Sequence, residues 1–384
     1  MSAHRSGPPR TPGAGTLGGL AAHQLLRLCE VAGLDDADAE VYARTLTGML
    51  GTVAERPLDL PPATPTFLSD DHTPVEFSLA FVPGAEPSLR VLLEPGGGAG
   101  GPARSGRAGL RIVREAARRW GFTTDRLDEL EDLFFPPAPE GPLALWCALE
   151  LRPGGVPKVK VYVNPAASGQ ERAAATVREA LRRLGHHQAF DALPPGDRLL
   201  FFALDLGDWE DPRVKVYLAH HDLPATRAAA LTRMRGGPSP AETEAFFRIA
   251  TGDDAAPAAP GDRDGPRPAR RPVQSCHAFT ETATGLPSGF TLYVPVRDHA
   301  PHDGEALARA TALLTHHGLD PAPLARALAA VTSRRLEDGV GLIAYLALTH
   351  QQGRPPRVTT YISSEAYAVR PPVGLLPAGA AGVR

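Results

Sequence analysis

The segment KVKVY, residues 158–162, alternates basic and apolar residues and ends in a tyrosine. An alternation with a period of two residues is typical of a β-strand and places both lysines and the tyrosine on one face. Related segments follow later in the chain: RVKVY at residues 213–217, FTLY at residues 290–293 and RVTTY at residues 357–361. The pattern therefore predicts four strands that each have one apolar face and one face of basic, hydroxyl and phenol side chains.

Each of these strands follows another strand-like run, and the residues between the two runs are typical of turns. The segment PGG at residues 153–155 separates residues 143–151 from residues 156–163, and a further pair of runs, 74–82 and 88–94, lies upstream. The remaining pairs are residues 198–206 with 213–219, 275–283 with 289–296, and 340–350 with 357–363. The sequence thus predicts five β-hairpins.

Amphipathic helical patterns lie between these hairpins, for example at residues 171–184, where Ser168 and Glu171 have the spacing of a capping box. Repetition of strand, strand and helix indicates a repeat architecture. The apolar face of the sheet has to be buried beneath the helices. An open sheet would leave two unpaired edges and expose the polar face, so we favour closure. We predict an α+β fold of five ββα-type repeats: a closed barrel of ten antiparallel strands with helices outside and a polar, solvent-filled lumen.

Length and composition indicate the domain organisation. The 384 residues, 43% of them apolar, predict a single domain over residues 17–371, with a disordered tail at 1–16, a flexible loop at 252–272 and a C-terminal tail at 372–384. No segment resembles a signal peptide or approaches ~20 apolar residues, so we expect a cytoplasmic protein without membrane contact. The three cysteines form no CxxC pair and are predicted to be reduced; they are Cys29, Cys147 and Cys276.

Charge and motif content argue against two classes of ligand. The chain has 40 basic and 43 acidic residues, a net charge of −3, whereas nucleic-acid-binding domains are usually basic. The segment DDAD at residues 35–38 lacks the DDxxD spacing of an acidic metal motif and predicts a helix cap. Histidines and cysteines show no zinc-ligand spacing. We therefore expect no nucleic-acid partner, no metal site and no required cofactor.

The strand alternation places five basic side chains inside the barrel. They are Arg90, Lys160, Arg213, Lys215 and Arg357. A diphosphate ester carries ~3 negative charges, and arginine and lysine form the strong, charge-assisted class of hydrogen bonds with such anions. Five cations can therefore neutralise a diphosphate without Mg²⁺.

Four tyrosines fall on the same inner face, namely Tyr162, Tyr217, Tyr293 and Tyr361. Their hydroxyls can donate to phosphate oxygens, and their π-faces can stabilise a carbocation by about 0.5–2 kcal/mol per contact. The competing interpretation is that strand lysines and arginines reach solvent while tyrosines pack half-buried. We would favour that interpretation for any single segment, but the same phase in four segments favours the lumen.

Two carboxylates share the inner face, Glu76 on the first hairpin and Glu150 on the second. A turn centred near Gly155 would place Glu150 opposite Lys160 and Arg152 opposite Lys158.

The motifs in these strands resemble those of aromatic prenyltransferases of the dimethylallyltryptophan synthase type. The matching segments are TPVEFSLAF at residues 73–81, RVLLEP at 90–95, KVKVYVNP at 158–165, RVKVY at 213–217, TLYVPVRD at 291–298 and RVTTYISSEAY at 357–367. The resemblance extends over roughly residues 17–371 and is strongest to bacterial tryptophan 6-dimethylallyltransferases. It implies the ABBA barrel, also called the PT barrel.

The resemblance also implies roles for the inner residues. Glu76 would accept a hydrogen bond from the indole N–H of the acceptor, the five cations would bind the diphosphate, and the four tyrosines would shield the allyl cation. Fungal relatives often have glutamine where this chain has Thr291 and tyrosine where it has Arg357. Their proposed proton-accepting lysine falls near Glu150 or Arg152, which leaves Glu150 as the local candidate base and Glu76 or the departing diphosphate as alternatives.

The implied reaction is transfer of a dimethylallyl group from dimethylallyl diphosphate to the indole ring of L-tryptophan, by Friedel–Crafts-type electrophilic aromatic substitution at C6, without a metal, in a monomer or homodimer. One alternative keeps the fold but changes the ring position to C5 or C7, or the acceptor to tyrosine, a hydroxynaphthalene or an indole derivative. The other is a non-catalytic barrel that binds RNA or a phosphorylated metabolite.

Overall fold

Ten antiparallel strands close into a barrel in the computed structural model, which describes residues 15–141, 143–207, 209–252 and 270–373. The strands are β1 Val75–Phe81, β2 Ser88–Leu93, β3 Leu145–Glu150, β4 Lys158–Val163, β5 Arg198–Leu206, β6 Val214–His220, β7 Val273–Phe279, β8 Gly289–Val294, β9 Ile343–Gln351 and β10 Arg354–Ser363. Their order around the barrel is β1-β10-β9-β8-β7-β6-β5-β4-β3-β2, so each strand bonds to two neighbours. The predicted closed barrel is confirmed.

Consecutive strands pair as the five predicted hairpins. Their apolar side chains point outward, as the alternation predicts: Val159, Val161 and Val163 of β4 are buried in the core outside the barrel wall. The seam that closes the barrel joins β1 to β10, where Glu76 lies opposite Ser363.

Helices cover the outer face of the barrel, as predicted. In the described residues they are α1 Leu17–Val31, α2 Asp36–Leu50, α3 Pro102–Trp120, α4 Asp125–Asp128, α5 Glu131–Phe134, α6 Ala173–Arg183, α7 Ala225–Ala228, α8 Pro240–Thr251, α9 Asp303–His316 and α10 Ala322–Val331, with 3₁₀ turns at Gly51–Glu55, Gln170–Arg172, Val296–Asp298 and Leu336–Asp338. A continuous apolar core fills the space between these helices and the barrel wall. Within the described ranges, no helix combines the length and hydropathy needed to cross a membrane.

The two predicted helix caps have different outcomes. Asp35 caps α2, since its Oδ1 accepts a hydrogen bond from the backbone N–H of Asp38 at 2.8 Å, which confirms the interpretation of the acidic segment. The capping box of Ser168 and Glu171 is wrong. A 3₁₀ turn at Gln170–Arg172 delays the start of α6 to Ala173, so Glu171 lies before the helix and no side chain caps it.

The register of the second hairpin differs from the prediction by two residues. Glu150 lies opposite Lys158, and Lys160 lies opposite Ala148. The turn is therefore centred on Gly154, and both Gly154 and Gly155 have positive φ. Arg152 falls in the connection, where its backbone N–H and C=O bond to the hydroxyl of Tyr42. A slip of two residues preserves the side-chain period, so the inward face is unchanged.

The predicted tails at 1–16 and 372–384 and the predicted loop at 252–272 lie largely outside the described residues. At their edges, Thr16 caps α1 by accepting from the backbone N–H of Gly19, and Arg271 forms ion pairs with Asp70 and Asp298. These edge residues are ordered parts of the fold. The three cysteines are free and buried, as predicted.

Candidate active site

The lumen arranges the predicted site residues in layers along the barrel axis. The cation layer, at the end of the barrel that carries the hairpin turns, consists of Arg90, Lys160, Arg213, Lys215 and Arg357. The tyrosine ring, further along the same strands, consists of Tyr162, Tyr217, Tyr293 and Tyr361. A chamber opens beyond the ring at the opposite end. The inward direction deduced from strand alternation is correct for all nine side chains.

A carboxylate that the sequence analysis missed holds two of the cations. The Asp205 side chain on β5 has no solvent exposure, and its oxygens lie 3.5 Å from Lys160 Nζ and 2.6 Å from Arg213 Nε. Burial by itself would raise the pKa of Asp205, but Lys160 and Arg213 outweigh it and hold this pKa at about 2. Asp205 therefore pairs with both cations and neutralises one of their two positive charges. Strand alternation could have predicted the inward position of Asp205, because it shares the inward face of β5 with Phe201 and Ala203.

Glu150 holds a third cation. Its Oε2 lies 2.7 Å from Nε and 2.6 Å from Nη2 of Arg90. Burial would raise the pKa of Glu150, but Arg90 and Arg357 lower it to about 2. A carboxylate with so low a pKa is a weak proton acceptor, because it rarely holds the proton it would have to take. The geometry therefore favours a role for Glu150 in positioning Arg90 over a role as the base.

The other two cations have no carboxylate within ion-pair distance among the described residues. Burial, followed by repulsion from Arg213 and Lys160, lowers the pKa of Lys215 well below its ordinary value. Burial and repulsion from Arg90 lower the pKa of Arg357 to about 10, and its buried Nε has no hydrogen-bond partner in the part of the chain that the structure describes. Buried cations without partners are costly unless an anion binds them. Five cations against two carboxylates leave an excess of three positive charges when all are ionised, which matches the ~3 negative charges of a diphosphate ester.

Trp209 lies against the cation layer and was not predicted from the sequence as a site residue. It sits in the connection between β5 and β6. Its indole N–H donates to the backbone carbonyls of Val159 and Leu206, at 2.9 and 3.0 Å. Its ring centroid lies 4.8 Å from the guanidinium carbon of Arg213 and 5.4 Å from Lys160 Nζ. A single tryptophan in a loop has no periodicity, so no strand pattern could indicate it.

The tyrosine ring is a continuous wall of phenols. Centroid distances between neighbours are 5.7 Å for Tyr162 and Tyr217, 5.9 Å for Tyr217 and Tyr293, and 5.8 Å for Tyr293 and Tyr361. Burial is the main cause that raises the pKa of each of the four tyrosines. All four phenols therefore stay neutral, and neutral phenols can face a carbocation with their π-systems without reacting as phenolates.

Glu76 lies in the lumen on β1 and is 5% exposed. Burial raises the pKa of Glu76 to about 8, although the nearby Arg297 acts to lower it. In the free enzyme at pH 7 this carboxyl group is therefore largely neutral. It becomes a strong hydrogen-bond acceptor once it loses its proton.

The chamber has a volume of about 650 Å³. Its inner wall is aromatic: Trp146 and Phe201 have centroids 5.1 Å apart, and Phe201 lies 5.7 Å from Tyr217 of the tyrosine ring. On the other side, Tyr345 lies 6.5 Å from Tyr361. A cavity with aromatic walls in this size range fits one small aromatic molecule resting on the tyrosine ring.

Charged groups line the rim of the chamber, and the sequence analysis named none of them. Asp70 Oδ1 lies 2.6 Å from Arg271 Nη2 and 3.2 Å from Arg297 Nη1. Arg297 is buried and stacks on Tyr345 at 4.9 Å, and Arg198 also lines the cavity. Except for Arg198, which begins β5, these residues come from loops and strand-flanking turns, whose spatial convergence strand periodicity does not predict.

The three layers separate the parts of one reaction. An anion can bind in the cation layer, and an electron-poor fragment can lie within the tyrosine ring. An aromatic molecule can occupy the chamber, whose rim residues Asp70 and Arg297 are close enough to Glu76 to shift its pKa. Among the described residues, no group of three or more His, Cys, Asp or Glu side chains is placed to hold a metal ion. The layout is that of a site for ionising a diphosphate ester next to an aromatic nucleophile.

Comparison with solved structures supports the same conclusion. The chain superposes on the PriB prenyltransferase in its ternary complex with L-tryptophan and dimethylallyl thiolodiphosphate, with a TM-score of 0.89 and 63% identity over 94% of this chain and 100% of PriB. For the 5-dimethylallyltryptophan synthase of Streptomyces coelicolor the values are 0.87 and 64%, over 93% and 100%. For the 6-dimethylallyltryptophan synthase of Micromonospora olivasterospora they are 0.82 and 43%, over 93% and 99%.

The sequence also matches the family described as tryptophan dimethylallyltransferase, over residues 37–323. The NotF prenyltransferase, at 16% identity and a TM-score of 0.70, shares the fold alone. The implied ABBA barrel is therefore confirmed, and the alternative of a non-catalytic binding barrel is set aside. The chain belongs to the tryptophan dimethylallyltransferase family and is an aromatic prenyltransferase.

Proposed function

We propose that the enzyme transfers the dimethylallyl group of dimethylallyl diphosphate to a carbon on the benzene half of the indole of L-tryptophan. The observation that carries the proposal is the cation layer, in which five buried basic side chains face two carboxylates, separated by the tyrosine ring from an aromatic chamber. PriB and the S. coelicolor synthase bind tryptophan together with a thiolodiphosphate analogue of this donor, which agrees with both ligand assignments.

The donor would bind with its diphosphate in the cation layer and its dimethylallyl group in the tyrosine ring. Breaking the C–O bond places negative charge on the leaving group, and the preorganised arginines and lysines stabilise that charge. The cation that remains is surrounded by neutral phenols. The walls of the lumen exclude water that would otherwise capture it.

The acceptor would lie in the chamber. Ionised Glu76 would accept a hydrogen bond from the indole N–H and raise the electron density of the ring. An α-amino acid carries an ammonium and a carboxylate, and the rim supplies Asp70 for the first and Arg198, Arg271 and Arg297 for the second. This pairing of charges favours tryptophan over a hydroxynaphthalene, which has neither group.

Loss of a ring proton completes the substitution. Glu150 is paired with Arg90 and has a pKa of about 2, so it is a poor proton acceptor. We assign the proton to the departing diphosphate, which is held in the cation layer beside the new C–C bond. This assignment replaces the sequence-based candidate.

Metal independence follows from the same charges. The cation layer provides the neutralisation that Mg²⁺ gives other diphosphate-binding sites. The enzyme is therefore proposed to need no metal ion and no other cofactor.

The position of attachment depends on how the indole rests above the cation. The sequence resemblance favours C6, whereas the relative at 64% identity carries C5 in its name and the relative at 43% carries C6. C5 and C6 are adjacent, so a displacement of about one bond length separates the two outcomes. We propose attachment at one of these two carbons, with C6 as the expectation from the sequence.

The experiment is incubation of the purified enzyme with dimethylallyl diphosphate and a panel of acceptors, followed by NMR of the product. The panel contains L-tryptophan, N-acetyltryptophan, tryptophan amide, tyrosine and a hydroxynaphthalene. Turnover of free L-tryptophan to one C5 or C6 product is expected, with slower turnover of both blocked derivatives. Preference for another acceptor, or attachment on the pyrrole half of the ring, would contradict the proposal.

A further inference from the structure

Trp209 occupies a position that the reaction as described does not use. Three cationic groups approach its ring: the guanidinium carbon of Arg213 at 4.8 Å, Lys158 Nζ at 4.9 Å and Lys160 Nζ at 5.4 Å. Two of these, Lys160 and Arg213, belong to the cation layer. A cation within about 6 Å of an indole centroid is attracted by the π-system, and indole is the most effective side chain for this.

The ring itself is fixed in place. Its N–H is shared between the carbonyl of Val159 on β4 and the carbonyl of Leu206 at the end of β5, at 2.9 and 3.0 Å. These two residues lie opposite each other in the sheet. The indole therefore spans the ends of two neighbouring strands at the mouth of the lumen that carries the hairpin turns.

The contact between the Trp209 ring and the two cations has an electrostatic effect. Asp205 is the one carboxylate within ion-pair distance of Lys160 and Arg213 among the described residues, so the pair keeps one positive charge in excess. Repulsion between them would drive the side chains apart in the empty site. An aromatic face attracts both cations but does not neutralise them, so they stay available to an anion.

We propose that Trp209 is a positioning residue for the donor: it holds Lys160 and Arg213 at the spacing that the diphosphate needs, and it closes this end of the lumen to water. The proposal rests on the proposed function for the identity of the donor. It adds a residue outside the cation layer and the tyrosine ring to the binding machinery.

The test compares Trp209→Leu, which removes the aromatic face, with Trp209→Phe, which keeps a face but loses the indole N–H. The control is Trp120→Phe, since Trp120 stacks on Phe122 outside the lumen. Inorganic diphosphate is the probe, and calorimetry measures its binding without acceptor or turnover. We expect Trp209→Leu to weaken diphosphate binding about tenfold, Trp209→Phe to restore much of the affinity, and the control to match the parent.

A second readout follows the fate of the allyl cation. If water enters, it forms a new C–O bond at the allyl carbon while the C–O bond to diphosphate breaks, which gives dimethylallyl alcohol, diphosphate and a proton. Trp209→Leu should raise the ratio of this alcohol to prenylated tryptophan, and it should raise the donor KM more than it lowers kcat. A residue that only supports the strand ends would lower the folded fraction and leave this ratio unchanged.

Equal diphosphate affinity in the parent and in folded Trp209→Leu would overturn the inference. If Trp209→Leu does not fold, a variant with Trp120→Phe and Trp146→Phe leaves Trp209 as the only tryptophan. Its fluorescence should change when diphosphate binds the two cations beside the ring and alters the electric field at the indole, and constant emission during binding would equally reject the inference. If the parent itself fails to bind diphosphate, the proposed function fails first, so the two failures are distinguishable.

Discussion

Glu76 combines a buried position with a proposed role that needs a negative charge. Its pKa is raised to about 8 by burial, so ionisation for contact with an indole N–H is opposed by the protein. A bound acceptor would offset the cost of ionising Glu76, because the indole N–H would donate a hydrogen bond to the carboxylate. A side chain of this kind makes catalysis and stability depend on pH in opposite directions.

We expect kcat/KM for tryptophan to rise with pH and to level off above about pH 8, because the proposed mechanism requires Glu76 in its ionised form. Glu76→Gln should lose about 10²–10³-fold in kcat/KM and lose this rise. Initial rates across pH 6–9.5 provide the measurement. A parent profile that is flat between pH 7 and 9 would contradict the assignment.

The same substitution should stabilise the free enzyme at alkaline pH. An acid whose pKa is raised from 4.5 in the unfolded chain to about 8 in the fold contributes its full stability below pH 4.5 and loses it as pH rises through 8. Glu76→Gln removes that loss, which is on the order of a few kcal/mol. Thermal unfolding at pH 5, 7 and 9 should therefore show a gain in Tm for the variant that grows with pH. A Tm difference that is constant over this range would show that Glu76 is not titrating near 8.

Lys215 and Lys160 form a matched pair for the cation layer. Lys215→Met should raise the free energy of unfolding by about 1–4 kcal/mol at pH 7, because it removes a buried basic group that forms no ion pair with any carboxylate the structure describes. Lys160→Met removes a partner of Asp205 and should give no such gain. Both variants should bind diphosphate at least about tenfold more weakly than the parent. Calorimetric titration with diphosphate, beside thermal unfolding, separates the two effects, and unchanged diphosphate affinity in both would reject the cation layer as the binding site.

At the scale of elements, strand alternation explains why so much of the site could be predicted. Period two is a local property, so the inward direction of Lys160 or Tyr217 needs no knowledge of the fold. Register is not local: the turn after β3 decided it, and the predicted pairing of Glu150 was off by two residues. The inward direction of Asp205 also follows from strand alternation. Trp209 and Asp70, in contrast, lie in connections between strands, and only the folded structure brings these connections together.

Helix α2 offers a test at this scale that is separate from the lumen. Asp35→Ala should lower the free energy of unfolding by about 1 kcal/mol, because the N–H of Asp38 loses its acceptor. Asp36→Ala is the control, since Asp36 is in the first turn but is not the cap, and it should cost a few tenths of that amount. Denaturant unfolding of both variants is the measurement. Equal losses would show that charge near the helix terminus, and not the cap bond, stabilises α2.

Closure of the sheet into a barrel turns the polar face of the strands into the wall of an enclosed lumen. The helices bury the outer face, and the ten strands leave the polar face nowhere to point except inward. The net charge of −3 on the chain therefore coexists with an electropositive interior. The alternative of an RNA-binding face needs exposed aromatics, and the tyrosine ring lies inside the closed wall.

Metal removal tests this compartment directly. Turnover should be unchanged in EDTA, because in the proposed mechanism the protein's own cations neutralise the diphosphate. Moderate salt should change the donor KM little, since ions screen buried charges weakly. Rates in EDTA, in added Mg²⁺ and across 50–500 mM NaCl give the comparison, and strict dependence on Mg²⁺ would show that the cation layer is insufficient.

The bonding of β1 to β10 has a consequence for how the protein reaches this state. The first hairpin is synthesised before the last one, so β1 gains its second neighbouring strand only when β10 is available. The closed barrel therefore cannot form in a partly synthesised chain. Contacts between such distant parts of a sequence form slowly. Until β1 pairs with β10, the basic side chains of the separate hairpins stay exposed to water. The active site is therefore assembled only in a late step of folding.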